Sequence, residues 1–204
     1  MKTTFTMIAL MAIFTFTSCK KESDKDVTTE TTVTDTLATV ADEPPVFEPF
    51  KVMAVTHVVK DFDKWKKGFD EDEMNRSANG LTLRALARGI DNPNNVFIFL
   101  NVSDLQKAKD FGASPKLKDV MQKLGVMGKP DIIYVDVVRF EESPTEIKDR
   151  IKISHKVKDF DAWLKAYDAE GNETRSSNGL MERAIARNID NPNLIHLTFA
   201  VSDM

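Results

Sequence analysis

Along the chain, apolar positions first alternate with polar ones and then recur at helical spacing. Phe50 to Val59 is rich in β-branched residues and predicts a strand. Asp61 or Asp63 then fits an N-cap ahead of Phe62, Trp65 and Phe69, which recur at helical spacing, and Asn79-Gly80 ends that stretch. Leu81 to Arg88 and Val96 to Val102 predict strands joined through the turn-rich Asp91-Asn92-Pro93-Asn94. Ser103 with Gln106 fits a capping box that opens a short helix through Phe111. Ser114-Pro115 opens another, whose Leu117, Val120, Met121 and Leu124 form a buried face before Gly125 stops it. Asp131 to Phe140 predicts a last strand. The order strand, helix, strand, strand, helix, strand is the split βαβ pattern of a ferredoxin-like α+β module.

The pattern then repeats. His57 to Asp70 pairs with His155 to Asp168 at 9 of 14 identical positions, and Arg76 to Leu105 pairs with Arg175 to Met204 at 17 of 30. Both copies must share one fold. Copy 2 ends at the equivalent of Leu105, so counterparts of 106 to 140 are not in the sequence. The expected modules are therefore 50–140 and an incomplete 148–204. An incomplete sheet leaves an edge, and Lys152, Lys156 and Lys158 fit the charge that blunts such edges.

The segments HVVKDFDKWKKGF, RSANGLTLRALARGIDNPNNVFIFLNVSDLQKAKDF and SPKLKDVMQKLGVMGKPD resemble the dimeric α/β-barrel superfamily that includes antibiotic-biosynthesis monooxygenases, and in particular a poorly characterised branch of it. The resemblance covers 50–140 fully and 148–204 in part. It implies that two ferredoxin-like modules join through their open sheet faces into one barrel, which a tandem copy can achieve inside one chain. The superfamily contains cofactor-independent monooxygenases, haem-degrading enzymes, isomerases and modules without known chemistry, so the fold leaves function open.

The first 49 residues read as an address and a tether. Lys2 precedes the short apolar run Met7 to Phe14, and Phe16-Thr17-Ser18-Cys19 follows, which resembles a bacterial lipoprotein signal with Cys19 as the lipidated residue. Cys19 is the only cysteine, so no intramolecular disulfide can form. Residues 20 to 26 mix lysine and acid in a way that resembles surface-export signals of Bacteroidota lipoproteins. Seven Thr in the fourteen positions 27 to 40, with Pro44, Pro45 and Pro49 after them, give little apolar content to offset ordering. The expectation is an 18-residue signal peptide, a disordered tether over 19–49 and a lipid-anchored protein of the cell envelope, at the outer membrane or cell surface.

Composition narrows the function classes. A net charge of −4 offers no basic surface for nucleic acid. Three histidines without metal-ligand spacing, no Gly-rich phosphate loop and no nucleophile elbow leave no metal, cofactor or catalytic motif implied.

Strand parity supplies the candidate site. Phe97 and Phe99 in copy 1 and His196 in copy 2 fall on the face away from the helices, and Arg84 and Arg88, with Arg183 and Arg187, are expected to share it. Such a face suits an amphipathic or anionic small ligand. The alternative is that these arginines guard an edge or pair with Asp91 and Asp190. His57 and His155 stand at matching strand ends on an apolar side. There a hydrogen-bonded structural histidine is the plainer reading, with a general base or haem ligand beside it. Trp65 and Trp163 follow the stripes of Phe62 and Phe160 and read as core. The functional expectation is a small-ligand module of unassigned chemistry. The alternatives are a cofactor-independent monooxygenase or haem-handling enzyme, and a structural or interaction module. Apolar residues on both faces of the first strand, among them Val52, Ala54 and Val58, are expected to bring a second chain onto copy 1 as a homodimer, with an internal barrel as the other arrangement.

Overall fold

The structure, a computed structural model, describes residues 47–202. Cys19, its signal context and the tether up to residue 46 lie outside the described residues.

Copy 1 runs β1 (Phe50–Val59), α1 (Phe62–Glu71), α2 (Glu73–Ala78), β2 (Leu81–Arg88), β3 (Asn95–Val102), α3 (Leu105–Ala113), α4 (Pro115–Lys123) and β4 (Val126–Phe140). Copy 2 runs β5 (Arg150–Lys156), α5 (Phe160–Glu170), α6 (Asn172–Ser177), β6 (Leu180–Asn188) and β7 (Leu194–Val201). All seven strands form one antiparallel sheet in the order β2-β3-β1-β4-β6-β7-β5. The first four places are the ferredoxin-like order, so the α+β class read from periodicity is the fold present. The two copies meet where β4 pairs with β6, Val137 opposite Ala186.

Local chemistry explains the elements and corrects three boundaries. Asp61 caps α1 by accepting from Lys64 N at 2.9 Å, and Trp65 and Phe69 turn inward one helical turn apart. The helix expected to run on to Asn79-Gly80 is broken at Asp72, which sits at φ −87°, ψ 8° and separates α1 from α2. The box expected at Ser103 is not formed. Asp104 caps α3, accepting from Lys107 N at 3.1 Å, while the Ser103 hydroxyl donates to Gly80 O. A carboxylate closer to the first free N–H groups outcompetes the hydroxyl. The last strand of copy 1 begins at Val126, five residues before Asp131, because a register shift between Thr56 and Val58 lets Met127 and Val126 continue the ladder.

Both faces of β1 are buried. Met53, Val55 and Val59 pack beneath the helices with Trp65, Phe69 and Leu81. On the other face Val52 joins Val135, Val137 and Ala186, flanked by Phe50, Phe99 and Phe140. Val52 and Ala54 are only 4% and 6% exposed within one chain. β6 extends the sheet and brings Ala186 to this face, while Val58 on the same face is only half-buried.

Candidate functional site

Strand alternation places His57 on the helix side of β1, and helical spacing places Trp65 and Phe69 of α1 above it. The His57 ring meets Trp65 edge-on at 5.4 Å, Trp65 stacks on Phe69 at 5.0 Å, and the Arg76 guanidinium covers the Phe69 ring at 3.7 Å. Arg76 is 6% exposed; it donates to Phe69 O and lies 3.9 Å from Asp72, which holds its charge in place. α3 and α4 close the stack from above. Between them and the sheet is a cavity of about 50 Å³, bordered by Met53, His57, Trp65, Phe111, Met121 and Leu124. It is larger than the roughly 10–15 Å³ that one water requires.

His57 lines this largely apolar space together with Asp72 and Arg76. The His57 ring is 6% exposed, and neither of its nitrogens has a hydrogen-bond partner among the described residues. The residue is buried, as expected, and hydrogen-bonds to none of the described residues. Burial lowers its pKa to about 4, so the ring is neutral at pH 7, with one N–H donor and one acceptor nitrogen to offer. A buried unsatisfied polar group costs about 1–3 kcal/mol. Beside the cavity, a groove of about 260 Å³ between α1 and α4 is bordered by Gly68, Asp72, Val120, Lys123 and Leu124. A Cβ on Gly68 would overlap the end of the Leu124 side chain, which borders both groove and cavity and would have to shift.

Copy 2 repeats the stack without the closure. His155 meets Trp163 at 5.9 Å, Trp163 stacks on Tyr167 at 5.0 Å, and Arg175 covers Tyr167 at 3.7 Å. Arg175 also donates to Tyr167 O at 3.0 Å and pairs with Glu170 at 2.9 Å. Nothing equivalent to α3 and α4 lies over it among the described residues, and His155 is exposed.

The arginine surface expected opposite the helices is not assembled. A bulge between Leu83 and Ala85 takes one residue out of alternation, and Arg84 and Arg88 end on opposite faces. Arg84 lies over Phe50 and Phe140 at 4.2 Å each and donates to Asn101 on the far face, whereas Arg88 stacks on Phe62 of α1 at 3.9 Å. The matching bulge between Glu182 and Ala184 divides copy 2 likewise: Arg183 donates to Ser143 O at 2.8 Å and Arg187 stacks on Phe160 at 4.0 Å. The alternative pairings with Asp91 and Asp190 are not made either. Arg88 and Arg187 donate to the Pro93 and Pro192 carbonyls, and Asp190 pairs with Lys109. Phe97 and Phe99 do stand on the far face, opposite Thr56 and Ala54. His196 stands there too, 9% exposed, with its Nδ1 2.7 Å from Ser154 Oγ and its Nε2 unpartnered. Burial first, and then Lys152 against the opposing pull of Asp131, lower its pKa to about 4.

Sequence reasoning missed Arg76 and Arg175. A signal was available: both are identical between copies, in the RS-x-NGL stretch that follows each aromatic stripe.

Fold and site together define a protein with one ferredoxin-like module and a three-stranded second copy on one shared sheet, with a cavity under the helices of the first. No family model matches the chain, and no curated protein does. Among solved structures it is similar to a provisionally assigned monooxygenase from Lactobacillus acidophilus, at 15% identity and TM-score 0.44, over 76% of this chain and 78% of that one. It is similar at 15% identity and TM-score 0.44 to another such protein from Fusobacterium nucleatum, over 76% of each chain. A provisionally assigned antibiotic biosynthesis monooxygenase from Bordetella bronchiseptica matches 42% of this chain with 94% of its own, at 14% identity and TM-score 0.35. The residue roles described above rest on the geometry alone.

Proposed function

We propose that copy 1 binds a small, largely apolar molecule in the helix-side cavity, with His57 as its hydrogen-bonding partner. The observation that carries this reading is the buried, unpartnered His57 ring facing apolar free space. At about 50 Å³ the cavity is smaller than the roughly 150 Å³ that admits benzene, so a ligand of that size or more requires Leu124 to move off Gly68 and join the cavity to the groove. Protein purified from its own host and examined by native mass spectrometry is expected to retain one small molecule per chain. His57→Phe should keep the fold and lose that mass; retention by the variant would overturn the assignment.

Conversion of the ligand, in the manner of a cofactor-independent monooxygenase, is the second reading. It rests on the free acceptor nitrogen of a neutral imidazole, and because burial lowers the pKa of that ring to about 4 the proton it takes must come from a strongly acidic O–H of the ligand. Oxygen consumption that requires both ligand and His57 would establish it.

We further propose that the chain is exported and held at the cell envelope by lipid on Cys19, with 20–49 as a tether of roughly 30 Å end-to-end distance. This rests on the sole cysteine and the short apolar run before it. Cys19→Ala is expected to abolish incorporation of labelled fatty acid and release the protein from membranes, and unchanged labelling would refute the anchor.

A further inference from the structure

β5 is the end strand of the sheet. It pairs with β7 on one side, and no described residue pairs with the other. Val157 N donates to Asn193 O at 2.8 Å and Asp149 O accepts from Val201 N at 3.1 Å, so the odd-numbered residues turn their backbone groups toward β7. By alternation, Arg150, Lys152, Ser154 and Lys156 turn theirs outward, unpaired.

The repeat shows how the corresponding edge is used in copy 1. β1 carries β4 on that side, with Val52 opposite Val135, Ala54 opposite Ile133, Met53 opposite Tyr134 and Val55 opposite Ile132. β5 keeps the helix-side half of this pattern as Ile151 and Ile153, which are 38% and 37% exposed where Met53 and Val55 are buried. It replaces the other half with charge: Arg150 stands for Val52, Lys152 for Ala54 and Lys156 for Val58. A β4-like strand would set Val135 and Ile133 against Arg150 and Lys152. A second copy of β5 running antiparallel about Ile153 would set Arg150 against Lys156, and like charges directly opposite destabilise a ladder.

We propose that the outer edge of β5 is a docking edge for an extended segment of a partner polypeptide in which acidic residues alternate with apolar ones. The acids face Arg150, Lys152 and Lys156, the apolar residues cover Ile151 and Ile153, and the outward backbone groups complete the ladder.

The test uses the full chain and three labelled synthetic peptides followed by fluorescence anisotropy. One has the sequence of residues 131–140, the second carries Ile133→Glu and Val135→Glu, and the third carries Ile133→Lys and Val135→Lys. The glutamate peptide is expected to bind about tenfold more tightly than the lysine peptide, with affinity that falls as salt is raised. Lys152→Pro removes an outward N–H while leaving the ladder to β7 intact, and should abolish binding, whereas Lys152→Ala weakens it only severalfold. Should the proline variant fail to fold, Arg150→Glu with Lys152→Glu serves instead, and the preference must then switch to the lysine peptide. Equal affinity for all three peptides would overturn the proposal, as would binding unaffected by Lys152→Pro. A dimer seen by light scattering and dissociated by Lys152→Pro would assign the edge to a second copy and overturn it as well.

Discussion

Lowering the pH from 7 to 5 is expected to remove about 4 kcal/mol of folding stability through two histidines alone. His57 and His196 each have a folded-state pKa near 4, against 6.5 for an unperturbed imidazole, and burial is the main cause in both. A lowered histidine pKa means that the unfolded chain binds the proton and the folded chain does not. Stability therefore rises with pH between about 4 and 6.5, is complete above that window, and is lost as pH falls through it. Each ring contributes about 2 kcal/mol of the change between pH 7 and 5, a large part of the 5–15 kcal/mol typical of a domain. Urea titrations at the two pH values measure it, and His57→Leu should shrink the difference by about half. Carboxylates add their own dependence in both proteins, so the contrast between wild type and variant isolates the ring. An unchanged contrast would mean that the folded protein supplies His57 with a partner for its proton.

The duplicated aromatic stack furnishes an internal control for the second large effect. Trp65 is 2% exposed, touches His57, Phe62 and Phe69, and borders the cavity. Trp65→Ala should cost about 3–5 kcal/mol, the range for emptying a closed core site of an indole. Trp163 has the same three ring neighbours in kind but only partial burial. There solvent can fill the space, so Trp163→Ala should cost roughly half as much. Equal losses would show that the cover provided by α3 and α4 contributes little, and with it would go the argument for a ligand site beneath them.

Periodicity made most of the fold legible. The strand limits of β1 and β2, the Asp61 cap, Pro115 and the Gly125 stop all act through residues within a few positions of one another, and local patterns report local forces. The faces of the second strand in each copy were not legible, because one bulged residue at Arg84 or Arg183 reverses every later side chain. His57 was placed on the correct side and its burial followed. Its lack of a partner was not readable, since that depends on α3 and α4, which lie about fifty residues further along the chain and bring only apolar groups to the ring. The junction of the two copies was equally invisible: strand order across β4 and β6 is set by pairing between residues roughly fifty apart, and parity says nothing about it.

The position of β4 bears on how the chain is made. Copy 1 contains all four strands of its own sub-sheet, and β4 leaves the ribosome before any part of copy 2. About 48 residues separate the end of β4 from the end of β6, so at 5–20 per second the outer edge of β4 stands bare for roughly 2 to 10 seconds. Its exposed row then serves as the template onto which β6 is laid, with Ala186 arriving over Val137. A nascent chain stalled in that interval would present Ile133, Val135 and Val137 beside free backbone groups, and that strand is where another nascent chain would add.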